Sequence, residues 1–121
     1  MDKWLYKQST GELFRNGKLI ETGYSGALTN KNNPDREQVR GMGPIPRGTW
    51  HIGGHTSSKG PFTIILTQTS GESYGRSLFR IHGERKPPKV PGFASEGCII
   101  LGPVIRTKII QSTDKTLEVV R

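Results

Sequence analysis

Two residues of this chain have the type and setting to make and break an acyl bond: Cys98, the only cysteine, and His82, one of three histidines. Each sits at the edge of an apolar run and beside a glycine, His82 in Phe79-Arg80-Ile81-His82-Gly83 and Cys98 in Gly97-Cys98-Ile99-Ile100-Leu101. A free thiol ionises near pH ~8.5 and is only partly thiolate at neutral pH, so a nearby imidazole must take its proton to make it a good nucleophile. In this pairing Cys98 is the nucleophile and His82 the base. Gly97 removes a side chain where a carbonyl substrate must approach, and the backbone N–H groups around Gly97 and Cys98 are candidates to hold the oxyanion of a tetrahedral intermediate. Ser95 and Glu96 shape that turn. The competing reading makes Cys98 a small, buried, inert apolar residue, the common fate of a lone cysteine in a small domain.

A reactive pair needs rigid supports. Leu78, Phe79 and Ile81 before the histidine, and Ile99, Ile100 and Leu101 after the cysteine, read as two buried strands whose adjacent ends bring thiol and imidazole together. Residues 84–94 between them contain Pro87, Pro88, Pro91 and Gly92 and read as a loop forming a flap over the site.

The remaining strands follow from alternation and punctuation. Residues 4–8, 12–15 and 18–22 alternate apolar and polar side chains and are separated by Ser9-Thr10-Gly11 and by Asn16-Gly17, a strong hairpin signal, which predicts a three-stranded antiparallel meander. Residues 23–48 lose periodicity and read as a long irregular segment, a kind of loop that is usually functional or disordered in a compact domain. Residues 49–52 and 62–68 read as strands. Gly102-Pro103 opens a short helix over 104–111, with Val104, Ile105, Ile109 and Ile110 as its apolar face, and residues 116–120 close the chain as a strand.

With 121 residues the chain is expected to form one domain with a single modest core. Sixteen glycines and eight prolines among short, Ile-rich apolar runs point to a mainly β class with long connections. A single cysteine excludes an internal disulfide. His51 and His55 flank Gly53-Gly54 and do not share a helical face, so no metal is expected with Cys98. The formal charge of +8 favours polyanions such as nucleic acid, an anionic membrane surface or the carboxylate-bearing cell wall. The basic residues are scattered rather than clustered, with no nucleic-acid-binding signature, so nucleic acid is not the expected partner. No apolar run approaches the length of a membrane helix, and no basic segment followed by an apolar run marks a secretion signal.

The spaced pattern His82-Gly83, then the loop, then Ser95-Glu96-Gly97-Cys98-Ile99 resembles the signature of the L,D-transpeptidases of the YkuD class, in which a histidine precedes an S-H-G-C element. With Glu96 in that element, GYSG at 23–26, NNP at 32–34 and GPIPRGTW at 43–50, nearly the whole chain resembles the L,D-transpeptidase effectors of type VI secretion, a toxin family that attacks peptidoglycan. Two positions depart from the broader class: Glu96 replaces a second histidine, and Ile100 stands where arginine or asparagine is usual.

The resemblance implies a compact L,D-transpeptidase-like β-sandwich or barrel with one short helix. It also implies cysteine acyl transfer on peptidoglycan tetrapeptide stems without a cofactor, as L,D-carboxypeptidase action, D-amino acid exchange or cross-linking. Tyr24, Ser25, Asn33 and Gly83 are then candidate substrate contacts, with turn capping by the serine and asparagine an equal alternative, and Arg47, Arg80 and Arg85 are candidate carboxylate binders. The chain would be made in the cytoplasm without a signal peptide, carried by type VI secretion to a target cell's periplasm, and met there by an immunity protein. The alternatives are a cysteine amidase of other specificity and a non-catalytic basic module that binds cell wall or nucleic acid.

Overall fold

The alternating N-terminal segments form β1 (Trp4–Lys7), β2 (Glu12–Arg15) and β3 (Lys18–Thr22), an antiparallel meander. Asn16 and Gly17 both take left-handed backbone angles in the turn between β2 and β3, as the right-handed twist of a tight hairpin requires. The computed structural model describes residues 3–57, 60–84, 92, 95 and 97–121. Arg85, Glu96 and most of the 84–94 flap lie outside the described residues.

Beyond the meander come β4 (Tyr24–Ser25), β5 (Gly48–Thr56), β6 (Thr63–Ser70), β7 (Arg80–His82), β8 (Ile99–Ile100), the helix α1 (Pro103–Gln111) and β9 (Thr116–Val120). They build one nine-stranded sheet in the order β3-β2-β1-β9-β5-β6-β7-β8-β4. The two outermost strands, β3 and β4, are separated in sequence by Gly23 alone, so the sheet curls until its edges meet and the barrel nearly closes. At that seam a Cβ on Gly23 would overlap the Ile100 carbonyl, so only glycine lets the chain cross from one edge to the other. The seam is also stitched by the Glu21 carboxylate of β3, which accepts from the Gly102 N–H at 2.6 Å.

The inward residues stack in register. Trp4 of β1 lies beside Leu117 of β9, which faces Trp50 of β5, and all three are almost fully buried. Ile64 of β6, Ile81 of β7 and Ile99 of β8 form a second row, each fully buried. Burying such aliphatic side chains contributes roughly 1.5–3 kcal/mol apiece, so the two short strands flanking the site are anchored mainly by their isoleucines.

The helix starts where the sequence predicts, with Pro103 in the first turn after Gly102. Ile105 and Ile109, four residues apart, are its buried apolar pair, and Arg106 is buried beside them. Val104 is two-thirds exposed, which corrects the expected apolar face: one residue from Ile105 it points about 100° away around the helix. Tyr24 and Ser25, expected in an irregular segment, form β4 against β8.

Candidate functional site

β7 and β8 run parallel, with Ile81 opposite Ile99 and His82 opposite Ile100. Side chains alternate along a strand, so continuing this register by one residue places Cys98 on the same face as Ile100 and His82, opposite to the face of Ile81 and Ile99. The Leu101 N–H donates to the His82 carbonyl at 3.1 Å, extending the ladder that ties the histidine strand to the cysteine strand. Cys98 and His82 thus belong to the same face of the β7–β8 pair, and both are nearly buried.

His82 is held in one tautomer. Its Nδ1 lies 3.0 Å from the Gly83 carbonyl oxygen, which can only accept, so Nδ1 carries the proton and, in the neutral ring, Nε2 keeps its lone pair. A base needs that lone pair. From α1, Arg106 packs against Gly83 so closely that a Cβ there would meet its guanidinium, and Arg106 also donates to the Leu101 and Pro61 carbonyls. The helix thus supports the site from the histidine side.

Two serine hydroxyls fix the turn before Cys98. Ser95 Oγ accepts from the N–H groups of Gly26 at 2.9 Å and Gly97 at 3.0 Å and donates to the Cys98 carbonyl. Ser25 Oγ donates to the Gly97 carbonyl and accepts from the Ile45 N–H, both at 2.8 Å. Ser25 is fully buried and its hydroxyl is spent on backbone groups, so it holds the turn before Cys98 and offers substrate no surface. Gly97 has φ +131°, where a side chain is strained, and a Cβ there would also run into Arg76 and Phe79. Its N–H is engaged by Ser95, which leaves the oxyanion to the Cys98 side of the turn.

The other expected contacts divide between the site and its scaffold. The Tyr24 hydroxyl donates to the Glu84 carboxylate at 2.8 Å beneath Lys31, and the same carboxylate accepts from the Gly92 N–H, so β4 is tied to both ends of the flap segment. Asn33 caps a short 3-10 turn, accepting from the Asp35 N–H. Arg47 is paired with Glu37 at 2.9 Å. Arg80, two residues before His82 on the same strand face, lines an open cleft of about 370 Å³ together with Trp50, Ile65, Arg76 and Leu78. Neither Cys98 nor His82 lines this cleft, and Cys98 Sγ reaches it only through a weak bond at 3.7 Å to the carbonyl of Leu78, one of the lining residues.

Sequence reasoning missed the buried Glu37 and Arg76, because isolated charged residues in a glycine-rich segment look like solvated surface. Glu37 accepts from Gln8, from the Arg47 backbone and side chain, and from the Tyr74 hydroxyl. Burial pushes its carboxyl up, yet the Arg47 hydrogen bonds, helped by Gln8 and Tyr74, hold it down at about 2, against an ordinary 4.5. A carboxyl depressed by folding stabilises the protein fully above its unfolded value and loses that contribution as pH falls toward its folded one. Unfolding midpoints measured from pH 5 down to pH 2 should therefore fall, with Glu37 contributing roughly 2 kcal/mol after allowance for the partly exposed Arg47. Glu37→Gln should flatten that part of the profile; an unchanged acid limb would show that the carboxylate is not a major term.

The nearly closed sheet with a cysteine and histidine on adjacent strands has the fold of an L,D-transpeptidase. A solved structure described as the Ldtfm-avibactam carbamoyl enzyme matches with a TM-score of 0.56 at 13% identity, over 99% of this chain and 49% of that one. This chain thus spans about half the length of that protein. The Tlde1 domain model matches residues 20–120, and the chain belongs to that family, a type VI effector family. Among curated proteins no match is found.

Proposed function

We propose that this domain is a peptidoglycan-acting effector that uses Cys98 for acyl transfer on tetrapeptide stems. The observation that supports the reading is that His82, its Nδ1 bonded to the Gly83 carbonyl, ends a strand laid beside the one that Cys98 precedes. His82 Nε2 takes the thiol proton, and the thiolate attacks the carbonyl preceding the terminal D-alanine. The C–N bond breaks, His82 returns the proton to the leaving amine, and free D-alanine departs from a thioester on Cys98. Water then gives the shortened stem and regenerates the thiol, whereas an amine gives D-amino acid exchange or a cross-link.

Family membership and the L,D-transpeptidase fold support a cell-wall substrate. The +8 charge favours a carboxylate-bearing polymer, and the cleft lined by Leu78 and Arg80 is within the ~300–1,000 Å³ range of ligand sites. Arg80, on the face of His82, is positioned for the stem's terminal carboxylate, and Arg85 follows in the flap sequence. A periplasmic immunity protein that occludes the cleft is the implied partner.

Incubation with purified muropeptides and mass analysis of the products tests the reaction. Tetrapeptide stems should lose one D-alanine or exchange it, and pentapeptide stems should react poorly, because their extra residue moves the carboxylate past Arg80. A charge-assisted hydrogen bond is worth about 1.5–3 kcal/mol, so Arg80→Ala should lower kcat/KM for tetrapeptide roughly 10- to 100-fold, mainly through KM. Equal processing of both stems would refute the carboxylate role, and unchanged muropeptides would refute the reaction.

A further inference from the structure

Leu78 has a left-handed backbone, at φ +63°, a conformation that strains a bulky side chain and that asparagine or glycine takes readily, as Asn16 and Asn32 do in this chain. It is also 74% exposed, so core packing does not offset the strain. Its neighbour is fixed the other way. Phe79 is buried edge-on to Trp50 with ring centroids 5.0 Å apart, and its carbonyl accepts from the Leu66 N–H at 3.0 Å. Leu78 therefore stands in solvent where it lines the cleft, while its own carbonyl lies 3.7 Å from Cys98 Sγ. Tyr74 shares the left-handed conformation, but its hydroxyl is anchored on Glu37; a leucine side chain has no such polar anchor. Strain kept at an exposed cleft position is the mark of a ligand contact.

We propose that Leu78 is a specificity-determining residue, an apolar wall that packs against a long aliphatic side chain on the stem residue whose carbonyl Cys98 attacks. The inference rests on the reading of Cys98 as the nucleophile. In the thioester that residue is bonded to sulfur, and Leu78 is the cleft residue bonded to the same sulfur, so the side chain of the acyl residue is the part of the ligand that meets it. Ile65 also lines the cleft, is 41% exposed and lies opposite Arg80 in the β6–β7 register, which sets apolar surface beside a guanidinium. Such a lining suits methylenes next to a carboxylate. A leucine that stands in water in the free protein has apolar area to remove from water on binding.

The test uses synthetic tetrapeptide stems with lysine or alanine at the residue before the terminal D-alanine, turned over by the wild type, Leu78→Gly, Leu78→Asn and Leu78→Met. The wild type should prefer the lysine stem about tenfold in kcat/KM, mainly through KM, and the glycine and asparagine variants should reduce that preference to within about threefold. Leu78→Met, which keeps an apolar side chain, should retain it. Glycine and asparagine relieve the strained backbone, so their unfolding temperatures should hold or rise, for glycine by roughly 3–6 °C. Iodoacetamide alkylation of Cys98 should proceed at one rate throughout, because the Leu78 carbonyl stays in place. An unmoved preference in Leu78→Gly overturns the inference alone, while turnover by the wild type still supports the nucleophile. A fall in unfolding temperature in both the glycine and asparagine variants, or alkylation that slows in step with turnover, also overturns it, because the leucine would then be bracing the fold or the thiol. If the wild type turns over neither stem, the catalytic reading fails and this inference with it.

Discussion

Cys98→Ala should abolish release of D-alanine from tetrapeptide stems and leave a folded protein, and His82→Ala should slow release by roughly 10²- to 10⁴-fold. The asymmetry follows from the two roles. Without sulfur no thioester can form, whereas without the imidazole the thiolate fraction falls and the leaving amine loses its proton donor. The fold survives the first change because β7 and β8 are anchored on the opposite face by Ile81 and Ile99, which remain fully buried. Removing a small side chain at the rim of that face costs about 1 kcal/mol. Turnover rates, read beside unfolding midpoints for both variants, check the prediction. Full activity in Cys98→Ala contradicts the mechanism, and a loss of activity that follows loss of folding leaves the alanine variant unable to support it.

The second large effect is in cells. The proposed substrate lies outside the cytoplasmic membrane, so the domain should do little harm when produced in the cytoplasm and cause swelling or lysis when fused to a periplasmic signal, with the harm lost in Cys98→Ala. The single cysteine suits that route, since it cannot form an internal disulfide in an oxidising compartment and the fold needs none. Viable counts and microscopy in the two compartments give the answer. Equal toxicity in both, or toxicity that persists in Cys98→Ala, would point instead to a cytoplasmic target such as nucleic acid.

Much of this scaffold is legible because local chemistry fixes it. Asn16-Gly17 dictates the hairpin, alternation gives Trp4 and Tyr6 their inward faces, and Pro103 after Gly102 starts the helix. The two short Ile-rich strands that His82 ends and Cys98 precedes were also legible, and they do lie side by side. Pairing between distant segments was not. Tyr24-Ser25 is too short to show a period and becomes a strand only because Ile99-Ile100, over seventy residues later, offers it an edge. The same holds for β1 and β9, which run parallel from opposite ends of the chain. Polar residues stayed ambiguous for a related reason: Ser25, Asn33 and Arg47 carry groups that substrates need, but turns and buried carboxylates need them too. Only the three-dimensional arrangement shows Ser25 beneath the Gly97 carbonyl, Asn33 capping a turn and Arg47 on Glu37.

The central claim is that Cys98 takes the stem onto its sulfur, and the most direct measurement is the intact mass of the protein quenched in acid during turnover of a tetrapeptide muropeptide. The account predicts an adduct equal to the muropeptide less one alanine, mapped to the peptide containing Cys98 and absent from Cys98→Ala. Product formation by Cys98→Ala, or an adduct carried on any other residue, would contradict it.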